Sequence, residues 1–183
     1  MNRAARPYSR ESMALPAGVL HGARLTLRPP SPDDIGCIMA MDTDAEVMRY
    51  IPGYLVTAER EVEYRREKLE ELAGSERFKF YYMVTPAGDD TAVGWVLLRP
   101  TEDGEWIELG YRFLRSAWGK GYATEASKLA LNIAFEDWAV PEVMAVTHPD
   151  NLASQHVLTK LGFVYAGLKH IYDFDCAFFV KRR

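Results

Sequence analysis

Cysteine is scarce in this chain: two residues in 183, Cys37 and Cys176, and no Cys-x-x-Cys pair. That excludes a disulfide framework and a thiolate zinc site. Two reduced thiols in a cytoplasmic protein are the expected state. Histidine is nearly as sparse, and His21, His148, His156 and His170 show no metal-ligand spacing, so no metal is expected. No apolar run approaches the roughly 20 residues that a membrane span needs. The arginines near the N-terminus are not followed by the apolar core of a secretory signal. The formal net charge of −4 gives no electrostatic reason to expect nucleic acid as a partner. Internal repeats, low-complexity tracts and a linker to a second domain are also lacking.

What remains is an ordinary globular balance, 48% apolar and 26% charged, in a length that favours one domain with a sizeable core. Residues 1–20 contain Pro7, Pro16 and Gly18 without any period and are expected to form a loose arm, with the domain at 21–183. Arg24 to Arg28 alternates and predicts a strand that Pro29-Pro30 ends. Ser31-Pro32-Asp33-Asp34 reads as a helix start, with Ile35, Ile38 and Met39 as the apolar face. A short helix is expected from Asp44 to Tyr50, and a charged one from Ala58 to Ala73, with Val62, Leu69 and Leu72 as its sparse apolar residues and its charges solvated. Three strands follow as a meander: Phe78–Thr85, Thr91–Arg99 and Glu105–Leu114. A helix then runs to about Trp138, followed by a buried strand Val143–Thr147. The helix Leu152–Leu161 comes next, stopped by Gly162, and then a closing pair, Phe163–Lys169 and Tyr172–Lys181. The order β-α-α-α-β-β-β-α-β-α-β-β is an α/β (α+β) arrangement.

Between the third meander strand and its helix stands Arg115-Ser-Ala-Trp-Gly-Lys-Gly-Tyr-Ala-Thr-Glu-Ala126. Glycines at a strand-to-helix turn let a ligand approach the main chain, and the first N–H groups of a helix carry partial positive charge without internal partners. Such a turn suits a phosphate or pyrophosphate. A P-loop would need glycine where Leu114 stands and Ser or Thr where Gly121 stands. A dinucleotide fingerprint would need Gly or Ala where Thr124 stands. Both fail. The stretch resembles instead the pyrophosphate loop of GCN5-related N-acetyltransferases (the GNAT family), Gln/Arg-x-x-Gly-x-Gly/Ala, with Ser116 departing at the Gln/Arg slot. Trp118 to Ala126, the opening Arg24-Leu-Thr-Leu-Arg-Pro29, Asn151-Leu-Ala-Ser154 and Lys160-Leu-Gly-Phe163 all resemble the branch that includes ribosomal-protein N-terminal acetyltransferases.

The resemblance implies the single-domain acyl-CoA N-acyltransferase fold and an acetyl-CoA-dependent transfer to a primary amine, with a protein N-terminus as the lead acceptor. A small amine, such as a polyamine or an antibiotic, and a non-catalytic acyl-CoA sensor are the alternatives; the expected state is monomer or homodimer. It also implies the contacts to acetyl-CoA. Trp118, Gly119, Lys120, Gly121, Tyr122, Ala123 and Thr124 would surround the pyrophosphate. Main-chain groups of Phe113, Leu114 and Arg115 would meet pantetheine where this strand splays from the next. Asn151 and Ser154 would touch the cofactor.

The alternation puts Trp106, Glu108, Gly110 and Arg112 on one strand face and Ile107, Leu109, Tyr111 and Phe113 on the core face. Glu108, a carboxylate among apolar neighbours, is the candidate base. Its alternatives are a solvated glutamate or one paired with Arg112, and Glu105 is the weaker substitute. Gly110 marks a bulge or a close backbone approach. Arg115 and Lys120 are candidate phosphate contacts. Many family members carry a tyrosine acid where this chain has Leu158. Ser154, matching a serine proposed as acid in the ribosomal branch, is the substitute candidate. Trp95, Trp106, Tyr50 and Tyr172 are candidate walls of an acceptor slot.

Overall fold

The computed structural model describes residues 8–183 except 10–12, 14, 17, 52, 54 and 75–77, and of residue 79 only the backbone. The elements are β1 (Leu20–His21), β2 (Leu25–Arg28), α1 (Ile35–Asp42), α2 (Ala45–Met48), α3 (Glu61–Gly74), β3 (Tyr81–Pro86), β4 (Gly94–Pro100) and β5 (Ile107–Phe113). After the glycine turn come α4 (Tyr122–Asn132), β6 (Glu142–Thr147), α5 (Leu152–Lys160), β7 (Val164–Ile171) and β8 (Phe174–Arg182). They build one eight-stranded sheet in the order β1-β2-β3-β4-β5-β6-β8-β7. All neighbours are antiparallel except β5 and β6.

Alternation along the central strands divides the core between the two sheet faces. Tyr82, Val84, Val96 and Leu98 join a cluster with Ala126 and Ala130 of α4 and Leu158 of α5. Met83, between Tyr82 and Val84, packs instead with Cys37, Ile38 and Met41 of α1. The layers are therefore α4 and α5 on one face and α1 with its neighbours on the other. Both cysteines are free and buried, and burial pushes the Cys37 thiol up to about 12. Among the described residues no helix is long and apolar enough to cross a membrane.

Several elements differ from the sequence reading. Leu20–His21 forms a small strand against β2, too short to carry a period. Phe78–Phe80 is a 3₁₀ turn rather than strand, since pairing with β4 begins at Tyr81. The last turn after α4, Ile133–Asp137, is π-helical. In α3, Val62 is exposed, while Lys68 is buried, its ammonium 2.6 Å from Glu71 and over the Tyr64 ring. The expected arm lies largely outside the described residues. Of those described, Tyr8, Met13 and Leu15 lie against the core.

Candidate active site

The β5–α4 turn is built from two left-handed glycines, Gly119 at φ +73° and Gly121 at φ +77°, with Gly121 as the N-cap of α4. The N–H groups of Tyr122, Ala123 and Thr124 head the helix and have no intrahelical acceptor; the first internal bond runs from Glu125 N–H to Gly121 C=O. Arg24 holds the turn from behind. Its Nη1 donates to the Lys120 carbonyl at 2.9 Å, and its Nε donates to Glu125 in the first turn of α4. The Arg24 main-chain N–H donates to the same carboxylate at 2.7 Å. Arg115, an expected phosphate contact, lies 3.9 Å from Asp44, while Lys120 stays exposed near the Tyr122 ring.

Beside this turn the sheet divides. β5 and β6 share a single register position, Glu108 with Met144. The Leu114 N–H donates to Val93, so Arg112, Gly110 and Glu108 also turn their main-chain groups toward β4. By the same alternation Tyr111 and Phe113 turn theirs toward β6, where pairing has ended. Of the three expected pantetheine contacts, Phe113 keeps its N–H toward the gap, and its carbonyl accepts the Trp118 indole N–H at 2.9 Å. Leu114 is engaged at both ends, by Val93 and by the Ala117 N–H, and the Arg115 carbonyl accepts the Trp118 N–H. Gly110 marks no bulge. The β4–β5 register is continuous, and a Cβ there would meet the Leu97 side chain at 3.1 Å.

Glu108 is only 6% exposed. Its partner is not Arg112, which pairs with Asp42 and lies over Trp95. The partner is Arg99, its cross-strand neighbour. Arg99 Nε and Nη2 both lie 2.9 Å from Glu108 Oε2, and the Tyr172 hydroxyl donates to the same oxygen at 2.7 Å. All these donors meet Oε2; among the described residues none meets Oε1. Burial acts to lower the Arg99 pKa, but Glu108 and the neighbouring phenols outweigh it and raise it. Burial, and then the Glu108 charge, raise the Tyr172 pKa, so the phenol stays a donor.

Tyr172 reaches Glu108 from the β7–β8 turn, where Tyr172 (φ +57°) and Asp173 (φ +65°) both hold left-handed backbone. A bulky residue there is an outlier that its surroundings must hold in place. A cavity of about 410 Å3 adjoins, walled in part by Trp106, Phe178, Tyr172 and Lys169. Trp106 and Tyr172 thus line one cavity, together with Glu105, and Tyr172 links it to Glu108. Trp95 instead packs with Tyr81, and Tyr50 stacks near His148. Glu105 lies outside β5, at the end of a turn that Asp103 organises.

On the other face, the Asn151 side-chain carbonyl accepts the Ser154 N–H at 3.1 Å and caps α5. Leu158 is buried at 1% exposure. A tyrosine is present nonetheless: Tyr111, placed on the core face by its period, brings its hydroxyl to 3.0 Å from Ser154 Oγ and 3.1 Å from the Ser154 carbonyl. Burial pushes this phenol up to about 12. The signal that could have found it is the hydroxyl itself, which needs a partner wherever a buried strand carries it.

Solved structures share this fold. An acetyltransferase of Bacillus anthracis superposes at TM-score 0.73 with 21% identity, covering 90% of this chain and 98% of its own. RimJ of Mycobacterium smegmatis, solved in complex with CoA-disulfide, superposes at 0.72 with 20% identity, covering 90% of this chain and 86% of its own. The description "Acetyltransferase (GNAT) domain" matches residues 24–164, and the chain belongs to the GNAT family. Among curated relatives, the FsC-acetyl coenzyme A-N(2)-transacetylase of Aspergillus fumigatus is 27% identical over 155 residues, covering 80% of this chain and 65% of its own. The uncharacterized N-acetyltransferase YjdG of Bacillus subtilis is 31% identical over 103 residues, covering 56% of this chain and 61% of its own. The chain spans less than two thirds of either relative's length.

Proposed function

We propose that the protein is an acetyl-CoA-dependent N-acetyltransferase that transfers the acetyl group directly to a primary amine in a ternary complex. The observation that carries the proposal is an alignment of three features. The glycine-capped N-terminus of α4 stands beside the gap between β5 and β6, and buried Glu108 sits at the last position before that gap opens. The residues fit the donor substrate: the α4 N-terminus offers N–H groups to a pyrophosphate, and the open edge of β5 offers main-chain groups to an amide-bearing arm. RimJ, which shares the fold, was solved in complex with CoA-disulfide, and this supports a CoA thioester as the donor.

Acetyl-CoA supplies the activated thioester; the chain's own residues do the rest. An alkyl amine is largely protonated at neutral pH, so it must lose a proton before it attacks. Glu108 Oε1 is the acceptor we assign for that proton, directly or through water, while Arg99 and Tyr172 hold Oε2. A main-chain N–H of Tyr111 or Phe113 polarises the acetyl carbonyl. Ser154 and the α5 N-terminus face the leaving sulfur. Holding both partners in line contributes about 7 kcal/mol or more to lowering the barrier.

The acceptor we propose is a protein N-terminal amine, supported by the branch motifs at Trp118–Ala126 and Asn151–Ser154. The second reading, a small amine, is favoured by the cavity that Tyr172, Trp106 and Glu105 line and by the Aspergillus relative. Acetyl-CoA incubated with peptides of varied N-terminus and with small amines, followed by mass spectrometry, separates the two. Acetylated peptide N-termini support the first, and acetylation of small amines alone overturns it. Acetyl-CoA binding with no acceptor turned over would return the protein to a sensor.

The clamp behind the turn gives a further expectation. Arg24→Ala removes the donor to Lys120 and the partner of Glu125. Because Arg24 is exposed, the fold should be little affected. Acetyl-CoA affinity should fall up to about tenfold as the turn loses one charge-assisted bond, worth about 1.5 kcal/mol. Calorimetry beside a melting curve checks this, and unchanged affinity would remove Arg24 from the site.

A further inference from the structure

The slot on α5 from which many family members present a tyrosine holds Leu158, buried in the core with no polar atom to offer. A phenol nevertheless reaches the N-terminus of α5, and it comes from the sheet. Tyr111 stands on β5 at a position whose main chain borders the gap, and its side chain runs to the first turn of α5. There its oxygen meets both the carbonyl and the hydroxyl of Ser154. Resting on the acetyltransferase reading, we infer that Tyr111 is a positioning residue, whose phenol donates to Ser154 Oγ and leaves the Ser154 hydroxyl proton aimed at the departing sulfur.

The geometry allows two arrangements, and they differ in what Ser154 can do. If the Tyr111 O–H points to the Ser154 carbonyl, the Ser154 proton turns to the phenol oxygen and is spent inside the protein. If the Tyr111 O–H points to Ser154 Oγ, the serine proton is free for the gap. Tyr111 does not itself supply the proton. A phenol at about 12 loses its proton to a thiolate whose thiol titrates at about 8.5 less than about once in a thousand. It stays a donor throughout. As the acetyl C–S bond breaks, its electron pair goes to sulfur, and Ser154 donates a hydrogen bond to that sulfur while keeping its proton. The proton of the attacking amine passes to Glu108, and solvent protonates the thiolate on release.

The test uses the complex of the protein with free CoA, so it needs no acceptor. The CoA thiol is titrated by its ultraviolet thiolate absorbance when bound to wild type, Tyr111→Phe, Ser154→Ala and the double variant. Wild type should bind the thiolate form preferentially, with the thiol pKa below that of free CoA. Each single variant should raise that pKa by about one unit, a tenfold change, and the double variant should raise it no further, because the two groups act as one chain. With any acceptor that turns over, kcat of Tyr111→Phe should fall about tenfold at unchanged KM for acetyl-CoA, and by nothing more in the Ser154→Ala background. An identical thiol pKa in wild type and Tyr111→Phe overturns the inference. So does a Tyr111→Phe effect that persists in full without Ser154, which is what a merely structural role would give. Failure of wild type to bind CoA sinks the acetyltransferase reading instead, and is seen before any variant is compared.

Discussion

Glu108→Gln is expected to lower turnover about 10²-fold, the scale for loss of a general base, with acetyl-CoA affinity unchanged. The architecture makes this substitution a clean one. Arg99 and Tyr172 both donate to Oε2. A glutamine can turn its amide oxygen to those two donors and its NH2 to the place where the proton would be taken. Shape and packing are kept, while proton acceptance and the charge that pairs Arg99 are lost, so a melting curve accompanies the rates. The deficit should shrink as pH rises, because a larger fraction of the acceptor amine is then already neutral. Where it shrinks reports the acceptor: near pH 8 for a protein N-terminal amine, and near pH 10 for a lysine-like alkyl amine. Steady-state rates across that range are the measurement. A Gln variant with the wild-type rate at neutral pH would remove Glu108 from the mechanism.

Gly121→Val is expected to abolish measurable acetyl-CoA binding. Gly121 caps α4 at φ +77°, where a left-handed L residue costs about 1–2 kcal/mol and a β-branched one is a genuine outlier. A Cβ would meet only Arg24 Nη2, at the ordinary distance of 3.4 Å. The protein around it therefore leaves room, and the damage falls on the turn's conformation and on the space a pyrophosphate needs. Gly121→Ala is the companion variant, expected to keep the fold and lose most of the affinity. Gly119→Ala carries similar backbone strain, with nothing within 4 Å of its Cβ. Calorimetry on variants shown to be folded by circular dichroism is the check. Wild-type affinity in Gly121→Ala would take the turn out of the binding site.

Local pattern carried the reading far in some places and failed in others, for physical reasons. The meander, the glycine turn and the α5 cap were legible because each depends on neighbours within a few residues. The partner of Glu108 was missed, although the sequence held the means to find it. The turn Thr101–Gly104 fixes a register in which Arg99 faces Glu108, and cross-strand pairing outranks the i+4 spacing to Arg112. Tyr172 was not legible. Its role depends on a tight turn with two left-handed residues, a conformation that Asn-Gly would announce and Tyr-Asp does not. Tyr111 was read by its period as core, and correctly so for its ring. The period says nothing of where a hydroxyl at the end of that ring finds its partner.

The single register position between β5 and β6 has a mechanical consequence. Counted by strands the sheet is continuous, but among the described residues its five-stranded and three-stranded halves share only one stitch, the register position of Glu108 and Met144. Among the described residues, the other non-covalent ties between them are side-chain ones, the cluster beneath α4 and α5 and the hydrogen bonds of Tyr172 with Glu108 and Arg99. Apolar contacts tolerate small rotations that a ladder of directional bonds would resist. A change of angle between the two halves would therefore have to break only that stitch and the hydrogen bonds of Tyr172 with Glu108 and Arg99. Residues bordering that stitch should lose amide protection together, ahead of the interior of either half.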